Sequence, residues 1–129
     1  MDTRNKIITP DRAAALAVEL RATGAALKVV TGYFDVLVAG HVRRLREIAD
    51  GAATLMVVVE DPPAPVLGAR ARAELVAALT VVDYVVPADK MALRELLRHF
   101  RADEIVEEES ADLLRAQWLT EHVQRRHQQ

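Results

Sequence analysis

No cysteine occurs among the 129 residues, which excludes disulfides, iron–sulfur clusters and thiol catalysis from the outset. An excess of charge of either sign is also lacking: 17 Lys and Arg stand against 19 Asp and Glu, a formal net charge of −2. That balance gives no long-range field to attract DNA or RNA, so nucleic acid is not expected as a partner. Long apolar runs are missing too. The most apolar stretch, Leu55–Val59, is far below the roughly 20 residues that span a bilayer, and the polar start Met1–Lys6 has no signal-peptide core. No membrane partner is therefore expected, and the cytoplasm is the expected compartment. Internal repeats, low-complexity tracts and linkers are absent. What is present is 51% hydrophobic and 28% charged residues, the balance of one soluble domain, residues 1–129, able to close its own core.

Local signals divide the chain into alternating elements. Thr9-Pro10-Asp11 supplies a capping residue, a proline at the first helical position and an acid facing the helix dipole, which predicts a helix over 10–23 before Gly24. Ala26–Val30 reads as a buried strand ending at Thr31-Gly32. A second helix from about Gly40 carries Val42, Leu45, Ile48 and Ala49 on one face and stops at Gly51. Leu55–Val59 is the second strand, and the prolines at 62, 63 and 65 make Glu60–Gly68 a loop. Helix over Ala69–Leu79, strand over Val81–Val86, helix over Ala88–Phe100 and a weaker strand over Asp103–Glu107 follow. Ser110 then caps a last helix over 111–126 whose apolar face holds Leu113, Leu114, Trp118, Leu119 and Val123. This alternation predicts an α/β fold, a parallel Rossmann-like sheet of four to five strands flanked by helices on both faces.

In such a sheet the ligand lies beyond the carboxyl ends of the strands. Here the first strand runs into Thr31–His41, where Gly40 and His41 open a helix. Backbone amides at a helix start, with the positive end of the dipole, suit a phosphate.

The stretch Thr31-Gly32-Tyr33-Phe34-Asp35-Val36-Leu37-Val38-Ala39-Gly40-His41-Val42-Arg43-Arg44-Leu45 resembles the signature G-x-F-D-x-x-H-x-G-H-x-x-x-L of the cytidylyltransferase-like nucleotidyltransferase superfamily, closest to its heptose and glycerol-phosphate branch. Arg72–Leu79 followed by Val82–Val86 looks like the same family's third helix and third strand. The resemblance covers about Leu27 to Val106, leaving the first and last helices outside it. It implies CTP or ATP as ligand, with Mg²⁺ accompanying the triphosphate, and a nucleotide or phosphate site drawn from Gly32, Tyr33, Phe34, Asp35, Gly40, His41 and Arg72. His41 is the catalytic residue in the case of an active enzyme, and no resident metal is implied.

The chain also departs from the family's pattern. The first signature histidine falls on Val38, which donates no hydrogen bond. Ala64-Pro65-Val66 stands where the branch often has Arg-Pro-Ile. Glu107–Glu109 replaces a Val-Lys-Gly strand end, reversing its charge, and the family's late Ser-Thr phosphate-gripping segment has no counterpart in Leu113–Gln129. Losing one preorganised donor costs on the order of 10²–10³ in rate. The leading expectation is therefore a degenerate member that keeps a remnant pocket for binding or regulation. The rivals are a working nucleotidyltransferase relying on His41, a metal ion and Arg72, and a protein-interaction module with a vestigial pocket.

Each residue also has a plainer reading. Asp35 suits capping of loop amides, Arg70 and Arg72 a solvated helix face, and Glu107–Glu109 an exposed strand end. His41, at a helix start, is expected to carry little core area, and His99, His122 and His127 read as surface histidines. The last helix, with the one tryptophan, has either to cover the sheet or to form a symmetric homodimer, and the homodimer is the favoured expectation.

Overall fold

The computed structural model describes residues 2–35, 39–51 and 53–127, with side chains through residue 123. Val38, the position of the replaced signature histidine, lies outside the described residues, as does the side chain of His127. After a 3-10 turn at Thr3–Lys6 come α1 (Pro10–Ala22), β1 (Leu27–Gly32), α2 (Ala39–Ala49), β2 (Thr54–Val59), α3 (Ala69–Ala77), β3 (Tyr84–Pro87) and α4 (Lys90–Leu97). A second 3-10 turn at Ala102–Glu104 leads into β4 (Ile105–Glu107) and α5 (Glu109–His127). The four strands are all parallel in the order β3-β2-β1-β4, the α/β architecture expected of the alternating pattern.

Two cores cover the sheet. Leu45, Ile48 and Ala49 of α2 and Ala73, Val76 and Ala77 of α3 pack on one face, with Val30, Leu55, Val57, Val59 and Val85. Ala13, Leu16 and Ala17 of α1 and Leu96 of α4 pack on the other, with Leu27, Val29, Met56, Val58 and Val86. Strands buried on both faces read as continuous apolar runs, which is why β1 and β2 were legible. The N-terminal segment shields the outer edge of β3, where Ile7 bridges to Val85 and the Ile8 amide donates to the Val85 carbonyl at 2.8 Å.

Several predicted boundaries shift. The third strand starts at Tyr84 and not Val81, because Val82 is held in a turn by the Leu79 carbonyl, while the Asp83 carboxylate accepts the Leu55 amide at 2.8 Å. The last helix begins at Glu109, one residue before its expected cap Ser110. From β1 the chain moves outward through β2 and β3 and then returns to lay β4 on the other side of β1. The reversal between β1 and β4 is a topological switch point, where open α/β sheets bind ligands beyond their carboxyl ends.

Candidate functional site

At that switch point β1 ends in Gly32, and the chain turns through Phe34, whose φ of +50° lies in the left-handed region. The turn directs two successive amides at one point: the Tyr33 and Phe34 N–H groups both donate to Oδ2 of Asp112, at 2.9 and 3.4 Å. The other oxygen of Asp112 accepts from Nε2 of His41. A carboxylate only accepts, so this contact fixes Nε2 as the protonated nitrogen. Both side chains are buried, His41 at 2% exposure. The His41 ring also lies 5.6 Å from the Phe34 ring, centroid to centroid, and Arg115 approaches the same Asp112 oxygen at 3.5 Å. A Cβ at Gly32 would collide with Asp112 Oδ2 and come within 2.7 Å of the Phe34 ring, so only glycine permits this close approach.

Asp112 lies in the first turns of α5 and was not among the residues expected at the site. Its neighbours help to dock the helix. The Glu108 amide donates to the Thr31 carbonyl at 2.8 Å, and the Glu108 carboxylate is buried against Arg44 Nε of α2. Glu60, just past β2, is buried with Oε2 unpartnered, and Thr31 Oγ1 is likewise a buried orphan. Burial, and then a hydrogen bond to Glu109 and its charge, push the Glu60 carboxyl up to about 8. Burial likewise raises the Tyr33 hydroxyl.

The remaining expected residues fall around this centre. Gly40 lies in the first turn of α2. Asp35 accepts the Val66 and Leu67 amides at 2.7 and 2.8 Å, tying the β1 turn to the proline-rich loop. Arg72 is 1% exposed and not on a solvated face. Its guanidinium donates to the Leu67, Tyr33 and Glu60 carbonyls at 3.0, 3.1 and 2.5 Å and to Asp61 at 2.5 Å, so its donors are used in holding the loops together. Arg70 is exposed and pairs with Glu74. The expectation of three exposed acids holds for Glu107 alone, because Glu108, in the turn into α5, is buried and Glu109, the first residue of α5, is half-buried. The burial of His41 likewise corrects the expectation of a peripheral helix-start side chain.

The structure thus brings Gly32, Tyr33, Phe34 and His41 to one point and makes Asp35 and Arg72 the scaffold behind it. The space left among Tyr33, Asp35, His41, Pro62 and Asp112 is about 20 Å³, room for roughly one water and too small for a phosphate. Larger hollows of about 330 and 450 Å³ lie around Lys6, Thr54 and Asp83 and around Ile7, Arg12 and Arg70. Neither touches the switch point, and the smaller space holds the convergent polar groups. Among the described residues no three His, Asp or Glu side chains are grouped to hold a metal ion, and no helix is long and apolar enough to cross a membrane.

No family model matches the chain. The bifunctional protein HldE of Caulobacter sp. (strain K31) is 33% identical over 112 residues, covering 79% of this chain and 23% of that protein. The chain therefore corresponds to less than a quarter of that relative's length. Among solved structures, the lipopolysaccharide core biosynthesis protein from Thermoplasma volcanium GSS1 is similar with a TM-score of 0.52 and 25% identity, over 57% of this chain and 66% of that one.

Proposed function

From the premise that the chain is a member of the cytidylyltransferase-like superfamily, we propose that it is a degenerate member whose remnant phosphate pocket serves binding or regulation and not nucleotidyl transfer. The observation that carries this reading is Asp112. The donors suited to a triphosphate, the Tyr33 and Phe34 amides and His41, hold the chain's own carboxylate. Nearby cations are also committed, Arg44 to Glu108 and Arg72 to the loop carbonyls and Asp61. Catalysis of phosphoryl chemistry rests on preorganised donors aimed at developing charge, and a competing carboxylate with Val38 in place of a histidine removes much of that field. CTP and ATP remain the ligands of choice, with Mg²⁺ arriving on the triphosphate. A setting in surface-carbohydrate or lipid-precursor biosynthesis accords with the name of the similar solved structure.

Pyrophosphate release from CTP or ATP with common phosphorylated acceptors should be undetectable or very slow, and Val38→His alone should not restore it. A turnover above about 1 s⁻¹, the lower end of ordinary enzymes, would show a working nucleotidyltransferase instead.

A second reading, an interaction module, is favoured by the outer face of α5. Leu113, Leu114, Trp118 and Val123 are 45–66% exposed among the described residues, with Trp118 stacked on His122 at 5.1 Å. We propose that this face pairs two copies. Light scattering should give about twice the 14.3 kDa chain mass, and Trp118→Glu should return it to one, since a charge at the centre of an apolar contact has no partner there. A concentration-independent mass of one chain excludes the dimer.

A further inference from the structure

Resting on the reading of the switch point as a phosphate pocket, we infer that Asp112 is the pocket's resident anion, and that phosphate or pyrophosphate gains the site only by expelling the first turns of α5. The amides of Tyr33 and Phe34 and the imidazole of His41 converge on one carboxylate, which reproduces the demand of a phosphate oxygen: several N–H donors around one negative charge. With about 20 Å³ left beside them, a second anion cannot enter while Asp112 stays. Displacement is local. Among the described residues α5 leaves Leu113, Leu114, Trp118 and Val123 exposed and Leu119 half-buried. Its hold on its own sheet therefore rests largely on Asp112 and on Glu108, which reaches Arg44 and the Thr31 carbonyl, and pairing of two copies through the exposed face is compatible with release of those first turns. An external anion and the helix therefore exclude each other, and occupancy of the pocket is read out as release of α5 and of Trp118, the chain's one tryptophan.

A ligand that binds only the open state is weakened by the fraction of molecules open. With the latch open in roughly one to ten per cent of molecules, removing it tightens binding by about 10–100-fold. The test is calorimetric titration of inorganic pyrophosphate, with Mg·CTP as a second probe, against the full chain, Asp112→Ala and Asp112→Asn. The asparagine variant keeps the shape and an acceptor for the amides, which guards against a folding failure of the alanine variant. Both are expected to bind pyrophosphate at least tenfold more tightly than the parent chain. Addition of His41→Ala to Asp112→Asn should abolish the gain, and in the parent chain Trp118 fluorescence anisotropy should change in step with binding. Equal affinities with an unresponsive Trp118 would overturn the latch and, with His41 still required, leave the pocket reading standing. Failure of every folded variant to bind either probe would remove the pocket reading and the latch with it.

Discussion

Replacing Arg72 by Met is expected to destabilise the chain by about 3–5 kcal/mol, the cost of removing a buried charge that donates four hydrogen bonds. The salt bridge itself contributes little of this, since the Asp61 side chain is 63% exposed and returns to water when its partner is lost. The main cost comes from three carbonyls that lose a charged donor, that of Glu60 buried and those of Tyr33 and Leu67 partly buried. Each unsatisfied buried acceptor costs roughly 1–3 kcal/mol. Methionine keeps most of the apolar stem, so packing loss is small and the effect isolates the guanidinium. Arg72→Lys should rescue little, because a single ammonium cannot reach acceptors spread over three segments as a planar fork does. Urea unfolding should show the midpoint drop in both variants. A change below about 1 kcal/mol for Arg72→Met would show that the loops around the site organise themselves without it. Set against a total stability of roughly 5–15 kcal/mol, the expected loss makes Arg72 a principal support of the site it does not itself enter.

Arg72 also shows where sequence reasoning stops. An arginine on a short helix reads by pattern as solvated, and nothing local announces that three backbone carbonyls from separate segments converge on it. The strands and helices were legible because burial on both faces of a parallel sheet leaves continuous apolar runs, and because caps such as Thr9 on the Arg12 amide act within a few residues. The Gly32–His41 turn was legible as a motif. Its occupant was not, since Asp112 meets Tyr33 and His41 across 79 and 71 residues. One available signal was topological: a helix that follows β4, the neighbour of β1 at the switch point, delivers its first turn to the carboxyl end of β1, and here that turn is acidic. Glu107–Glu109 reads as a charge reversal at the strand end, but reading α5 only for its apolar face, Leu113 to Val123, passes over Asp112. Glu60 lies in the loop after β2 as expected, but a carboxyl directly after Leu55–Val59 inherits the burial of the strand, which the pattern does not announce.

That buried carboxyl makes stability fall with rising pH, an effect on the order of 2 kcal/mol between about pH 6 and 9. Glu60 is pushed from an ordinary 4.5 to about 8, first by burial, then by the hydrogen bond and charge of Glu109, with Glu107 adding and Lys90 opposing. The folded chain therefore keeps a proton that the unfolded chain has already released. Stability from this group is complete below about 4.5 and is lost as pH rises through 8. The direction is opposite to that of a salt-bridged acid, whose contribution is lost on acidification. The other carboxylates are ionised in both states above pH 6, but imidazoles and the α-amino group ordinarily titrate in this window and the chain has four histidines, so it is the difference between the parent and a Glu60 variant that isolates this pair. Glu60→Gln offers a neutral donor to Glu109 at every pH, and its urea midpoint should stay flat where that of the parent falls. A parent midpoint unchanged from pH 6 to 9, or a glutamine variant that follows the same slope, would place the proton elsewhere. Ionised Glu60 also repels Glu109 in the first turn of α5 while the partnerless Glu60 Oε2 gains no new donor. The Trp118 signal that reports helix release should therefore shift over the same pH range in the parent chain and not in Glu60→Gln.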